Sequence, residues 1–207
     1  MKQYPSISKQ IIELDHLIGF DKLDGSNIRA EWDKKSKRFM RFGSRKLLLA
    51  PEHPSLGKSI ELIRETYEDA LTKRFLDLKY EKVTAFFEFF GDQSFAGYHE
   101  KDDPTQQVVL IDMIIYKKGL IHPDTFVQEF QQVGIPKVLY RGKVDHELIR
   151  SIRERTLSGM SFEGVIFKGR TGKKNHLPVM FKVKSKEWLA KLKDFCKGDE
   201  QLFQKMA

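Results

Sequence analysis

The apolar residues of this chain come in short runs, and none exceeds the length of a β-strand. Val108–Ile111 and Met113–Tyr116 are among the longest, parted only by Asp112. Runs of this kind, rich in β-branched and aromatic side chains, read as strands. They are far too short for a bilayer, whose crossing takes about 20 apolar residues. Asn27–Trp32 and the stretch around Phe39-Met40-Arg41-Phe42 alternate apolar with polar residues and read as paired strands. Val83–Phe90, Ser161–Lys168 and Val179–Lys184 complete the strand-like set, and Leu17–Phe20 is an apolar run leading into the turn Asp24-Gly25-Ser26. Leu56 to Leu78 is different: Ile60, Ile63, Tyr67 and Leu71 recur at helical spacing. Asp124–Val133 and Asp145–Leu157 read as short helices, and Ser185–Cys196 as a closing one. Antiparallel strands broken by helices predict an α+β fold, with a cleft between sheets as the natural ligand site.

No repeat, low-complexity tract or Pro/Gly/Ser linker divides the 207 residues, so residues 1–207 read as one domain. A chain of this size buries roughly 70% of its unfolded surface and needs no covalent staples. Its lone cysteine, Cys196, excludes an internal disulfide and a cysteine metal cluster. Met1-Lys2-Gln3-Tyr4-Pro5 has no apolar core behind its charge, unlike a secretory signal. The expectation is a cytoplasmic protein without a membrane partner. Its net charge of +8, from 37 Lys and Arg against 29 Asp and Glu, favours a polyanionic partner such as nucleic acid.

Four segments carry candidate chemistry. In Lys22-Leu23-Asp24-Gly25-Ser26-Asn27-Ile28-Arg29, a lysine precedes an acid and a glycine turn where backbone can approach a ligand. Alone, this is a surface turn as readily as a nucleophile. Phe87-Glu88-Phe89-Phe90 then sets an acid inside an apolar strand, where a carboxylate costs several kcal/mol unless paired. Ser161-Phe162-Glu163-Gly164-Val165-Ile166-Phe167-Lys168 repeats that pattern. Met180-Phe181-Lys182-Val183-Lys184 puts two lysines on one face of a strand, where they repel unless something anionic lies between them. Each segment has a structural reading as an edge-strand acid or a lysine gatekeeper. All four in this order resist one.

That order resembles motifs I, III, IV and V of the ligase and capping-enzyme nucleotidyltransferases, from Lys22 to Lys184. Asn27, Arg29 and Ser44-Arg45 resemble the RNA-ligase branch; DNA ligases usually have an arginine at the position of Asn27. The chain is thus identified as similar to the catalytic domain of ATP-dependent RNA ligases of the second type. The resemblance implies a nucleotidyltransferase fold, ATP-grasp-like, with antiparallel sheets flanking a nucleotide cleft, and no C-terminal OB domain. It further implies ATP as co-substrate, Mg²⁺ or Mn²⁺ as cofactor, and RNA 5′-phosphate and 3′-hydroxyl ends as partners of a monomer. The absent OB domain leaves room for an accessory RNA-binding protein. Lys22 would attack the α-phosphate, releasing pyrophosphate and leaving a lysyl-AMP, with Lys182 and Lys184 neutralising charge. Crowding by those lysines would lower the pKa of Lys22. Asp21, Arg45, Glu88 and Ile111 would join the lysines in holding the nucleotide. Glu88, Glu163 and Asp24 would hold the metal, and Asn27, Arg29 and Arg45 the RNA. Ile111 departs from the family, which usually has an adenine-stacking aromatic before the aspartate that is Asp112 here.

A minimal DNA ligase, a GTP-using capping enzyme and a non-catalytic nucleic-acid-binding domain are the rival expectations. His16, His53, His99, His122, His146 and His176 show no ligand spacing and read as surface or capping residues. Trp32 and Trp188 read as packing residues, and Cys196 as a half-buried apolar one. Gly169-Arg170-Thr171-Gly172-Lys173-Lys174 lacks the strand–loop–helix order of a P-loop and reads as a basic turn.

Overall fold

The computed structural model describes residues 1–91, 106–171 and 177–207; His99, His176 and the Gly172–Lys174 part of the basic turn lie outside them. The chain sorts into two compact units, each with its own sheet, where the sequence alone reads as continuous. Unit 1 comprises Met1–Ser6 and Asp24–Pro136; unit 2 comprises Ile7–Leu23 and Lys137–Ala207. Every strand pair among the named strands is antiparallel. The α+β expectation holds. Among the described residues no helix is long and apolar enough to cross a membrane.

Unit 1 is built on a six-stranded sheet. Its strands are β2 (Ser26–Asp33), β3 (Arg38–Gly43), β4 (Leu48–Leu49), β5 (Lys82–Phe90), β6 (Gln107–Ile115) and β7 (Gly119–Leu120), in the order β4-β3-β2-β5-β6-β7. The helical spacing read at Leu56–Leu78 becomes α1 (Lys58–Ile63), a π-helical turn (Arg64–Glu68) and α2 (Asp69–Asp77). Ile60, Ile63, Tyr67, Leu71 and Phe75 form its buried stripe. One sheet face packs on it: Trp32 meets Phe75 edge-on at 5.2 Å and donates to Thr72 at 2.9 Å, while Phe87 meets Tyr67 at 5.2 Å. Pro123–Phe130 forms α3, and Gln131–Val133 a 3-10 turn.

Unit 2 carries β1 (Leu17–Lys22), β8 (Val138–Gly142), β9 (Gly164–Arg170) and β10 (Pro178–Lys184), in the order β10-β9-β1-β8. Leu17, Val165, Phe167, Phe181 and Val183 point to one face and pack with Leu148, Ile149 and Ile152 of α4 (His146–Arg153). The Phe167 and Phe181 rings stack at 5.0 Å. Period-2 alternation sends their strand neighbours Lys22, Ile166, Lys182 and Lys184 to the opposite face. The chain continues into α5 (Lys186–Phe195), capped by Ser185, whose hydroxyl accepts from Trp188 N at 3.1 Å, and α6 (Glu200–Met206). Trp188 and Cys196 are buried.

Candidate active site

The site in unit 2 is made by strand register. On β1, Lys22 pairs with Gly164 of β9, and Gly164 pairs in turn with Lys184 of β10. Gly164 has φ +151°, and a Cβ there would lie 2.1 Å from Val183 O. Only glycine fits at that crossing. Glu163, the residue before it, is 3% exposed and lies between the two lysines. Lys22 Nζ donates to Glu163 Oε2 at 2.6 Å, and Lys184 Nζ lies 2.9 Å from Oε1. The anionic group required between the β10 lysines is in part this carboxylate. The rest is backbone: Lys184 Nζ donates to Met206 O and Lys182 Nζ to Ala207 O, each at 3.0 Å. The Lys184 ammonium also sits 3.6 Å from the centroid of Trp188.

The half-buried amine of Lys182 has its pKa lowered to about 8, chiefly by desolvation, then by the charges of Lys184 and Lys22, with Glu163 pulling the other way. The crowding anticipated around Lys22 is felt at Lys182. Asp21 lies on the side of β1 away from Lys22, where its Oδ1 accepts from Ser161 N and Oγ, both at 2.9 Å. Burial raises its pKa, and the Ser161 bonds and Lys137 oppose the shift. It pins the loop that delivers Glu163.

Unit 1 gathers the other candidates. Asn27, Arg29 and Glu31 alternate along β2, opposite Glu88, Phe86 and Thr84 of β5, on the sheet face away from the α1–α2 helical stretch. Asp112 of β6 pairs with Phe86. The segment Met1–Ser6 lies over this face. Tyr4 donates to Asp112 Oδ2 at 3.0 Å and packs its ring 4.9 Å from Phe86, and Arg29 Nη1 donates to Lys2 O at 3.4 Å. Burial and the Asp112 and Glu88 carboxylates hold the Tyr4 hydroxyl well above the ordinary phenol pKa. Sequence reasoning had no role for Tyr4; the only signal was an aromatic residue in an otherwise polar N-terminal stretch. Asn27 Nδ2 donates to Phe87 O at 3.5 Å, and its buried Oδ1 has no hydrogen-bond partner. Arg29 is buried, with its Nε likewise unpartnered. Asp24 sits in the turn before β2, where a Cβ on Gly25 would meet Phe89 O at 2.3 Å. Arg45 is exposed between β3 and β4, and Ile111 is half-buried in β6. Among the described residues no three His, Cys, Asp or Glu side chains are grouped to hold a metal ion. Of the described histidines, His122 caps α3, its Nδ1 accepting from Asp124 N, and His53 Nδ1 accepts from Leu56 N in the turn before α1.

Charge divides unevenly between the units. Unit 2 has 19 Lys and Arg against 11 Asp and Glu, whereas unit 1 has 18 against 18. The whole excess of +8 resides in the unit that holds Lys22, Lys182 and Lys184.

No protein-family model and no curated relative matches the sequence. Solved structures do. The chain is similar to a Naegleria gruberi RNA ligase variant with AMP and Mn, with TM-score 0.61 and 17% identity, covering 87% of this chain and 52% of that one. Against the Naegleria gruberi RNA ligase with PPi the TM-score is 0.62 at 16% identity, covering 87% and 52%. Another variant, with ATP and Mn, gives 0.62 at 18%, covering 93% and 60%. The chain thus spans between half and two thirds of the ligase it resembles. It has the α+β fold of these RNA ligases.

Proposed function

We propose that the chain is an ATP-dependent RNA ligase that works through a lysyl-AMP on Lys22. The observation that carries this reading is the Lys22–Glu163–Lys184 bridge, one buried carboxylate shared by two amines, with Lys182 beside them. A purely structural ion pair needs one lysine. Three amines converging from two strands suit a transferring phosphoryl group, whose reaction depends on positioning and charge neutralisation.

In this reading Lys22 gives up a proton and its Nζ attacks the α-phosphorus of ATP. The Nζ–P bond forms, the P–O bond to the β-phosphate breaks, and pyrophosphate leaves. Glu163, already hydrogen-bonded to Lys22, is the acceptor at hand for that proton. Lys182 and Lys184 neutralise the charge on the phosphate. Asp24, Glu88 and Glu163 are the candidate carboxylates for Mg²⁺ or Mn²⁺, which would supply charge neutralisation and rely largely on phosphate and water oxygens. Glu88 and Arg45 would hold the ribose or phosphate. The resemblance assigns Asp21 and Ile111 to nucleotide binding too; Asp21 would act through the loop it pins, and Ile111 by aliphatic packing on the base.

An oxygen of an RNA 5′-phosphate next takes the AMP from Lys22, and attack by a 3′-hydroxyl joins the ends and expels AMP. Asn27 and Arg29 are the candidate 5′-phosphate contacts. The net charge of unit 2 supports an RNA partner there.

Intact-protein mass after incubation with ATP and Mg²⁺ or Mn²⁺ tests the proposal. One added AMP, from ATP but not GTP and absent in Lys22→Ala, is the expected result. A well-folded sample that stays at its unmodified mass would sink it.

A further inference from the structure

The last turn of α6 ends on the lysines. Three backbone oxygens of α6 and the residue after it accept from ammonium groups. Lys9 Nζ donates to Gln204 O at 3.2 Å, Lys184 Nζ to Met206 O and Lys182 Nζ to Ala207 O, both at 3.0 Å. Lys9 is built into place by backbone: Ser8 forms a parallel bridge to Phe181, with Ser8 N donating to Met180 O at 3.1 Å and Lys182 N to Ser8 O at 2.9 Å. Its charge contributes to the lowered pKa of Lys182.

A row of oxygens on three amines is the arrangement that a chain of phosphates makes. We propose that Lys9, Lys182 and Lys184 form one polyphosphate site, that Lys9 binds the phosphates released as pyrophosphate, and that the last turn of α6 fills this site until nucleotide displaces it. The inference rests on the ligase reading for its physiological ligand, though not for its anion chemistry. α6 suits a removable occupant. It meets the three lysines through backbone oxygens, which phosphate oxygens can replace. Its start is fastened by Asp199, whose Oδ1 accepts from Leu202 N at 2.9 Å.

The test uses inorganic tripolyphosphate, which has no base, no ribose and no α-phosphate ester to attack. Its affinity is measured by calorimetry for the wild type, Asp199→Ala and Asp199→Ala/Lys9→Ala, with hydrogen exchange followed over residues 200–207. Saturating tripolyphosphate should speed exchange there in the wild type. Loss of the N-cap loosens the competitor, so Asp199→Ala should bind roughly fivefold tighter. With α6 already loosened, adding Lys9→Ala should weaken binding about tenfold. Exchange over 200–207 that is unchanged or slowed by tripolyphosphate overturns the proposal, as does an Asp199→Ala variant with freed amides and no gain in affinity. Tripolyphosphate displacement without any adduct from ATP would leave this site standing and remove the ligase reading; an adduct without displacement would do the reverse.

Discussion

Glu163 holds Lys22 on one oxygen and Lys184 on the other, which makes Lys182 the amine with the weakest claim on a counter-charge. Burial, and then the charges of Lys184 and Lys22, lower its pKa, and a pH dependence follows. Below about 8 Lys182 is charged and attracts phosphate; above it the free protein loses that charge. A bound anion favours the ammonium, so binding takes up a proton between the free and bound pKa values. Pyrophosphate affinity should therefore fall as pH rises through 8, by up to about tenfold per unit. Lys182→Arg keeps its charge throughout, and the anion's own titration is common to both proteins, so the difference between their profiles isolates the lysine. Parallel profiles would show that Lys182 does not titrate against the anion. Folding responds with the opposite sign. The folded pKa lies below the unfolded one, so this residue adds stability as pH climbs from 8 towards the usual lysine value.

At the scale of elements, strands whose apolar pattern reflects burial were legible, and those without a pattern were not. β5 and β6 read directly from Val83–Phe90 and Val108–Tyr116, because both sit inside the sheet. β8 was missed: it is an edge strand, mostly half-exposed or exposed, and Val138-Leu139-Tyr140-Arg141-Gly142 shows no clean alternation. α6 was missed because Glu200–Met206 offers too few residues to show a helical period, and its contacts with Lys9, Lys182 and Lys184 lie in no local window. The β10 lysines were legible as a pair needing an anion, yet the identity of that anion depended on strand register. Tyr4 and Lys9 were hidden for the same reason, since each acts through residues far along the chain. Gly164 is the joint of this arrangement. Gly164→Ala should cost about 2 to 3 kcal/mol, through a positive φ and a Cβ against Val183 O. It should also part Glu163 from Lys184. Chemical denaturation measures the first effect, and a loss below about 0.5 kcal/mol would mean that β10 can move aside.

For the molecule as a whole, charge makes a distinction that sequence composition conceals. A net +8 spread evenly would predict nucleic-acid contacts anywhere, but unit 1 is neutral and unit 2 carries all of it. On α5, Lys191 is exposed and lies 4.6 Å from the centroid of Phe162, the neighbour of Glu163, and Arg155 lies 4.8 Å from the same ring. Cations around an aromatic ring next to the proposed reacting centre offer both phosphate contacts and a stacking surface. If RNA engages this unit, each phosphate contact removed should lower the steepness of binding against salt by about 0.7 in log–log terms for a single strand. Lys191→Ala/Lys193→Ala in unit 2 should flatten that slope by about one contact or more and weaken RNA binding at low salt. Lys34→Ala/Lys35→Ala, the same charge change in unit 1, should leave it within error. Adduct formation with ATP should persist in both, because neither pair touches Lys22. Equal flattening by the two variants would mean that RNA reads the total charge of the chain; flattening by the unit 1 pair alone would move the RNA-binding surface to the neutral half, against the electrostatic argument.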